Sequence, residues 1–244
     1  HINPSKNLFT FNFKPELLAQ IKDWQSNPKT HRIAEEFNLL YRWHALVPNF
    51  VVDENGNAVS TPETFWDTQY LTTRGTSSVV RAAVHQPAHS FGFQKSPDFL
   101  SIVDEAGVRQ ARNEMKLRSF NEYSERFGVP RVSSFEELNI DAVDAFEAAY
   151  NSIDDVDFYV GVMNQRVVLG IFPPMLTTMV LSHAMNGIFG NVLTDGSRWT
   201  NDTFDPKGYG LKEIHNTNVR TLFSRNSTVN GLRVGDVSLT TKQQ

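Results

Sequence analysis

Tyr41 and His44 stand three residues apart in Phe37-Asn38-Leu39-Leu40-Tyr41-Arg42-Trp43-His44, within a stretch whose apolar spacing predicts a helix from about Lys29 to Leu46. On such a helix the two share a face, about 4.5 Å apart along the axis. A neutral imidazole is a good iron ligand, with its second ring nitrogen held by a hydrogen bond. A phenol one turn away is placed to give up an electron, together with its proton, to an oxidant at that metal. Phe37 and Leu40 extend the same surface, so the phenol would face apolar neighbours. On spacing alone, two ordinary packing residues are the better description.

The elements that must carry this pair are mostly helical. Helical periodicity is common and strand-like alternation rare, so the fold class is mainly α. Thr30 is a candidate N-cap of the first long helix, and Pro48 lies beyond its end. Leu8 to Phe13 reads as a short extended piece. Asp53-Glu54-Asn55-Gly56-Asn57 is a turn, and Thr61-Pro62 opens a helix through Leu71. A short helix follows over Ser77 to Val84, then an irregular connection from Gln86 to Pro97. A long helix is predicted from about Asp98 to Phe127, with Gly107 as its weak point and Gly128 as its stop. Ser134-Phe135-Glu136-Glu137 has the form of a capping box, and Asp141 to Tyr150 a further helix. Beyond Pro173-Pro174, Met175 to Phe189 reads as a buried helix. Thr194 to Gly210 is turn-rich, and a last helix is predicted over Leu211 to Arg225. No repeat, linker or break in composition argues for a second domain.

Composition narrows the chemistry. The chain has 244 residues, 40% of them hydrophobic, enough for a sizeable core. Its 18 phenylalanines suit a packed interior and an apolar tunnel alike. A net charge of −4 disfavours nucleic acid as a partner. With no cysteine, disulfides, iron–sulfur clusters, thiolate-ligated haem and Cys-based zinc sites are excluded within this chain, and an iron would rest on His, Met or Tyr. No apolar run reaches the length of a membrane-spanning helix. The opening His1-Ile2-Asn3-Pro4 lacks the pattern of a signal peptide, and the expectation is a fragment or processed product. The compartment is not legible.

The wording around the pair is more specific than its spacing. Glu36-Phe37-Asn38-Leu39-Leu40-Tyr41-Arg42-Trp43-His44-Ala45-Leu46-Val47-Pro48 resembles the proximal helix of cyclooxygenases (prostaglandin endoperoxide synthases) and related haem-containing fatty-acid dioxygenases of the animal haem peroxidase superfamily. Arg118-Ser119-Phe120-Asn121-Glu122-Tyr123-Ser124-Glu125-Arg126-Phe127-Gly128, followed by Ser134-Phe135-Glu136-Glu137-Leu138, is similar to a second cyclooxygenase stretch. Gly187-Ile188-Phe189-Gly190-Asn191-Val192 is similar to a third, and Phe13-Lys14-Pro15-Glu16-Leu17-Leu18 fits upstream. Order and rough spacing match over nearly the whole chain.

The resemblance implies a haem peroxidase-like helical domain with His44 as proximal iron ligand and Tyr41 as the hydrogen-abstracting radical. Phe37, Leu40 and Trp43 would shape the channel beside Tyr41, with Phe172, Leu176 and Ala184 at further channel positions. Tyr159, in Asp157-Phe158-Tyr159, resembles a tyrosine on the proximal haem side. Ala184 stands where mammalian cyclooxygenases carry the serine acylated by aspirin. The family's distal histidine motif, membrane-binding helices and carboxylate-pairing basic residue belong to an upstream part with no counterpart here, and His85-Gln86-Pro87-Ala88-His89 reads as a surface loop. Residues 1–244 are therefore expected to be the C-terminal, proximal half of a catalytic domain that works with an N-terminal half on a polyunsaturated fatty acid and O2. A homodimer and peripheral membrane association are further expectations. The implied activity is cyclooxygenation with hydroperoxide reduction. The alternatives are a linoleate or α-type dioxygenase forming a simple hydroperoxide, and a haem peroxidase without lipid oxygenation.

Overall fold

The computed structural model describes residues 34–189, together with 19, 191, 198, 200–204, 207, 209–218, 221, 222 and 225. The expected extended piece at Leu8 to Phe13 lies outside these. So do the proposed cap Thr30 and part of the turn-rich segment from Thr194 to Gly210. The chain divides into two compact units, one of residues 1–34 and 181–214, the other of residues 35–180 and 215–244. Among its described residues the first contributes the C-terminal turns of a long helix and two short helical pieces, Asn201–Phe204 and Tyr209–Asn216, the latter running on to the division.

The second unit holds the core. Its order is α1 (Glu35–Leu40), strands β1 (Phe50–Val52) and β2 (Ala58–Ser60), then α2 (Thr61–Phe65), α3 (Thr68–Arg74) and α4 (Thr76–Val84). There follow α5 (Ser101–Arg109), α6 (Phe120–Arg126), α7 (Phe135–Asn139), α8 (Val143–Ala149), α9 (Phe158–Asn164) and α10 (Pro174–Phe189). The predominance of helix agrees with the sequence. The antiparallel hairpin, with Val51 opposite Val59, does not appear in the sequence reading, because three-residue strands are too short to show a period. Its turn is the expected Asp53–Asn57 cluster: the Asp53 carboxylate accepts from the backbone N–H groups of Asn55 and Asn57 at 2.9 and 2.8 Å.

Two predicted helices break where side chains intervene. The helix after Thr61 splits at Asp67, whose carboxylate accepts from the Gln69 N–H at 2.8 Å and caps α3. The long helix expected from Asp98 to Phe127 ends instead at a π-helical turn, Gln110–Glu114. Lys116 then takes a left-handed backbone (φ 52°), and Ser119 starts α6 in a capping box with Glu122. Gly107, the expected weak point, stays helical. It serves close packing, since a Cβ there would lie 2.6 Å from the Tyr159 ring.

α9 is the central post. Gly107 admits its Tyr159 ring on the α5 side, and its own Gly161 admits the Phe120 ring on the α6 side. Its own Phe158 and Val162 are buried in one apolar cluster with Phe120, Met175 and Leu176. A methyl group at Gly161 would overlap the Phe120 ring, with no flexible chain end to yield. Gly161→Ala is therefore expected to cost about 1–3 kcal/mol by overpacking, read as a lower midpoint in urea at unchanged m-value. Among the described residues no helix is long and apolar enough to cross a membrane.

Candidate active site

α1 stops at Leu40, so the predicted continuous helix through Leu46 is interrupted just at the chemistry. The cause is Trp43. Its indole Nε1–H donates to the Leu40 carbonyl at 2.7 Å, in the place where the backbone N–H of residue 44 would continue the helix. Arg42 N–H turns back to the Leu39 carbonyl at 3.3 Å, and the Arg42 side chain donates to the Val103 carbonyl at 3.0 Å and to Gln110 Oε1. His44 then opens a separate 3-10 turn, His44–Leu46. Tyr41 and His44 thus lie on either side of a break rather than on one helical face.

The break gathers aromatic rings. The Tyr41 ring lies 4.3 Å from Phe37 and stacks at 5.0 Å on Trp43; Trp43 meets Phe172 at 4.8 Å, and Phe172 meets Phe91 at 5.6 Å. Phe37, Tyr41, Trp43 and Phe172, named from the sequence, therefore form one row, and Phe91 closes it unannounced. Tyr41 is 40% exposed, and among the described residues its hydroxyl has no hydrogen bond. Leu40 and Leu176 are fully buried in the core beneath the row. Ala184 is half-buried on α10 and belongs to the other unit.

His44 is half-buried. Its Nδ1 is shut off from solvent with no hydrogen-bond partner among the described residues. Burial pushes its imidazole below the ordinary histidine range; the charge of Asp104 opposes this and that of Arg42 adds to it. The group is thus held neutral, with a lone pair to offer. The linkage has a definite sign. The unfolded chain takes up a proton near pH 6.5 and the native form only at lower pH. Stability from this group is complete above that value and is lost as pH falls through the folded one. Urea midpoints measured downward from about pH 7 should fall, and His44→Gln should flatten that part of the profile.

His89, in the loop read as surface, is half-buried and structural. Its Nδ1 lies 3.1 Å from the Ala45 carbonyl and 2.9 Å from the Lys95 carbonyl; since both accept, this nitrogen carries the proton. Its own N–H reaches the Leu46 carbonyl at 3.1 Å, so the loop clamps the turn that presents His44. From the other side, the Tyr123 hydroxyl donates to Glu36 at 2.6 Å and ties α1 to α6. Tyr159 is buried and donates to Asp104 at 2.8 Å; burial, more than the neighbouring Asp104 charge, raises its phenol far above the usual range.

The family model for the animal haem peroxidases, "Animal haem peroxidase", matches residues 6–234. The chain belongs to the animal haem peroxidase family. Bovine prostaglandin G/H synthase 2 is 31% identical over 222 residues, 89% of this chain and 36% of its own length. Mouse prostaglandin G/H synthase 1 is 32% identical over 196 residues, 79% of this chain and 32% of its own. The chain thus spans about a third of the length of these relatives. Among solved structures, the fatty acid alpha-dioxygenase of Arabidopsis thaliana shares the fold, with a TM-score of 0.69 at 15% identity over 82% of this chain and 37% of its own. That of Oryza sativa does so at 0.68 and 17% identity, over 87% and 41%.

Haem is the cofactor of the animal haem peroxidase family to which this chain belongs, and the residues present suit it. Among the described residues no group of three or more His, Asp or Glu is assembled to hold a metal by protein ligands alone. A single neutral imidazole is the ligand required by an iron that brings its other in-plane ligands in a porphyrin.

Proposed function

We propose that this chain is the C-terminal, proximal part of a haem-dependent oxygenase of polyunsaturated fatty acids, of the cyclooxygenase type, which also reduces hydroperoxides. The observation that carries the reading is Tyr41: a phenol with no hydrogen bond among the described residues, set in an aromatic row and three residues from a neutral, half-buried histidine whose Nδ1 is shut off from solvent. The sequence likeness to prostaglandin G/H synthases supports cyclooxygenation over the other lipid oxygenations.

In this reading His44 holds the haem iron through a ring nitrogen. Haem, when bound, supplies the one-electron oxidising power of a peroxide. Tyr41 gives up an electron and its phenolic proton, and the resulting phenoxyl radical takes a hydrogen atom from a methylene group of the fatty acid. Tyr41 is thereby a phenol again; O2 adds to the carbon radical, and the final peroxyl radical takes the phenolic hydrogen atom back, which leaves a hydroperoxide and restores the Tyr41 radical. Phe37, Trp43 and Phe172 hold an apolar chain beside Tyr41 and keep water from it. Tyr41 remains 40% exposed, and the rest of the channel wall is assigned to the N-terminal half of the catalytic domain.

The test is product analysis with the full-length, haem-loaded protein. Arachidonate should consume two O2 per turnover and give prostaglandin-type endoperoxides on chromatography. A single hydroperoxide from arachidonate or linoleate would replace cyclooxygenation by simple dioxygenation, and hydroperoxide reduction without O2 uptake would remove the oxygenase reading.

A further inference from the structure

The break that parts Tyr41 from His44 brings Tyr41 and Trp43 together. On a continuous helix, residues two apart lie about 200° round the axis and do not face each other. Here α1 ends at Leu40, and the two rings stack with centroids 5.0 Å apart and planes inclined by 21°. Trp43 makes the break itself, since its Nε1–H donates to the Leu40 carbonyl at 2.7 Å. It also meets Phe172 at 4.8 Å, so three contacts fix the half-buried indole against the phenol.

Tyr41 and Trp43 are the two rings of the row with a heteroatom that lets an aromatic give up an electron at biological potentials; Phe37, Phe172 and Phe91 are plain benzene rings. The pair differs in where its protons can go. The indole N–H points at a backbone carbonyl, which accepts a hydrogen bond but is no base. An indole that loses an electron there keeps its proton and remains a cation. The Tyr41 hydroxyl is bonded to no described residue and the side chain is 40% exposed, so its proton can pass to water. A phenol that sheds its proton as it is oxidised gives up its electron more readily than an indole that keeps its own. A positive charge on Trp43 therefore moves to Tyr41 and stays there.

We infer that Trp43 is a catalytic residue of the oxidation step, the stacked partner through which the Tyr41 electron reaches the haem at His44, its neighbour in the chain. The inference rests on the reading of Tyr41 and His44 given above. The oxidant is a hydroperoxide acting through the haem. One electron leaves the Trp43 ring, and the indole proton stays in place. Tyr41 replaces that electron and releases its phenolic proton to water. The indole is restored, and the net loss is one electron and one proton from Tyr41.

The experiment mixes the full-length, haem-loaded protein with a hydroperoxide and freezes it within milliseconds for electron paramagnetic resonance. The parent should show a tyrosyl radical that Tyr41→Phe removes. In Tyr41→Phe no phenol refills the indole, so the radical should stop on Trp43. Its signal should narrow with ring-deuterated tryptophan, be unchanged by ring-deuterated tyrosine, and vanish in Tyr41→Phe/Trp43→Phe. Trp43→Phe alone also frees the Leu40 carbonyl, so the rate is read from the parent labelled with fluorotryptophan, which keeps the N–H and the shape but is harder to oxidise. The Tyr41 radical should then form at least about tenfold more slowly. A signal in Tyr41→Phe that narrows with deuterated tyrosine instead, or an unslowed radical in the labelled protein, would overturn the inference. A parent with no radical sensitive to Tyr41→Phe is the distinct outcome that removes the reading of Tyr41 itself.

Discussion

Tyr41→Phe should abolish fatty-acid-dependent O2 uptake while leaving hydroperoxide reduction close to the parent rate. The substitution removes one oxygen atom and keeps the ring that stacks on Phe37 and Trp43. The hydroxyl is hydrogen-bonded to no described residue, so no buried partner is orphaned and the cost to stability should be small. The chemistry, by contrast, loses the only group in the row with an O–H bond to break and remake. A fall of at least about a hundredfold in oxygenation is expected, equivalent to about 3 kcal/mol in the barrier. An oxygen electrode and a peroxidase dye assay on the same preparation separate the two activities. Oxygen uptake near the parent rate in the variant would refute the radical role of Tyr41.

His44→Ala should be the more damaging change, since both activities depend on the iron. Loss of a partner that merely orients a ligand typically costs about 10–100-fold in metal affinity, and loss of the ligand itself should exceed that. The expected result is a protein that folds, retains its helical circular dichroism and shows no normal Soret band after reconstitution. Folding should survive because no described hydrogen bond depends on the His44 side chain, and the turn is held through backbone atoms: the Leu46 carbonyl by His89 N–H and the Ala45 carbonyl by the His89 ring. Added imidazole should restore part of the Soret band by filling the small cavity. A normal band without added imidazole would show that another residue ligates the iron.

The words of the sequence carried more than its periods did. Phe37 to His44 marks the pair and its aromatic company, and family membership agrees with the resemblance read there. The break between Tyr41 and His44 was hidden because its causes are not local propensities. Arg42 is drawn to Val103 and Gln110, some sixty residues on, and an indole that caps the carbonyl three residues before it looks in sequence like one more apolar helix residue. The segment Ser119 to Tyr123 was legible as a likeness, but its physical task was not. Phe120 fills the space left by Gly161, and buried Asn121 bonds both the carbonyl and the N–H of Val132. The structural role of His89 is not legible in the sequence because its acceptors are backbone carbonyls, which carry no mark there. The helix expected through Phe127 failed at Lys116 for a similar reason: a left-handed residue at a lysine has no signal comparable to a glycine.

Tyr123 and Glu36, whose side chains meet at 2.6 Å, are separated by 87 positions in the chain. Closing a loop of that length carries an entropic cost that no local sequence preference offsets, so the contact exists only because the intervening helices have already found each other. Arg42–Val103 and His89–Ala45 are of the same non-local kind. The ten residues from Glu36 to Ala45, which carry these ties, are consequently not a portable cassette. Grafted into another helical scaffold they would keep the indole cap, which is local, and lose the three long-range ties that aim the rings. For anyone building an oxidation site by transplantation, the unit to move is the whole body from Glu35 to Val180.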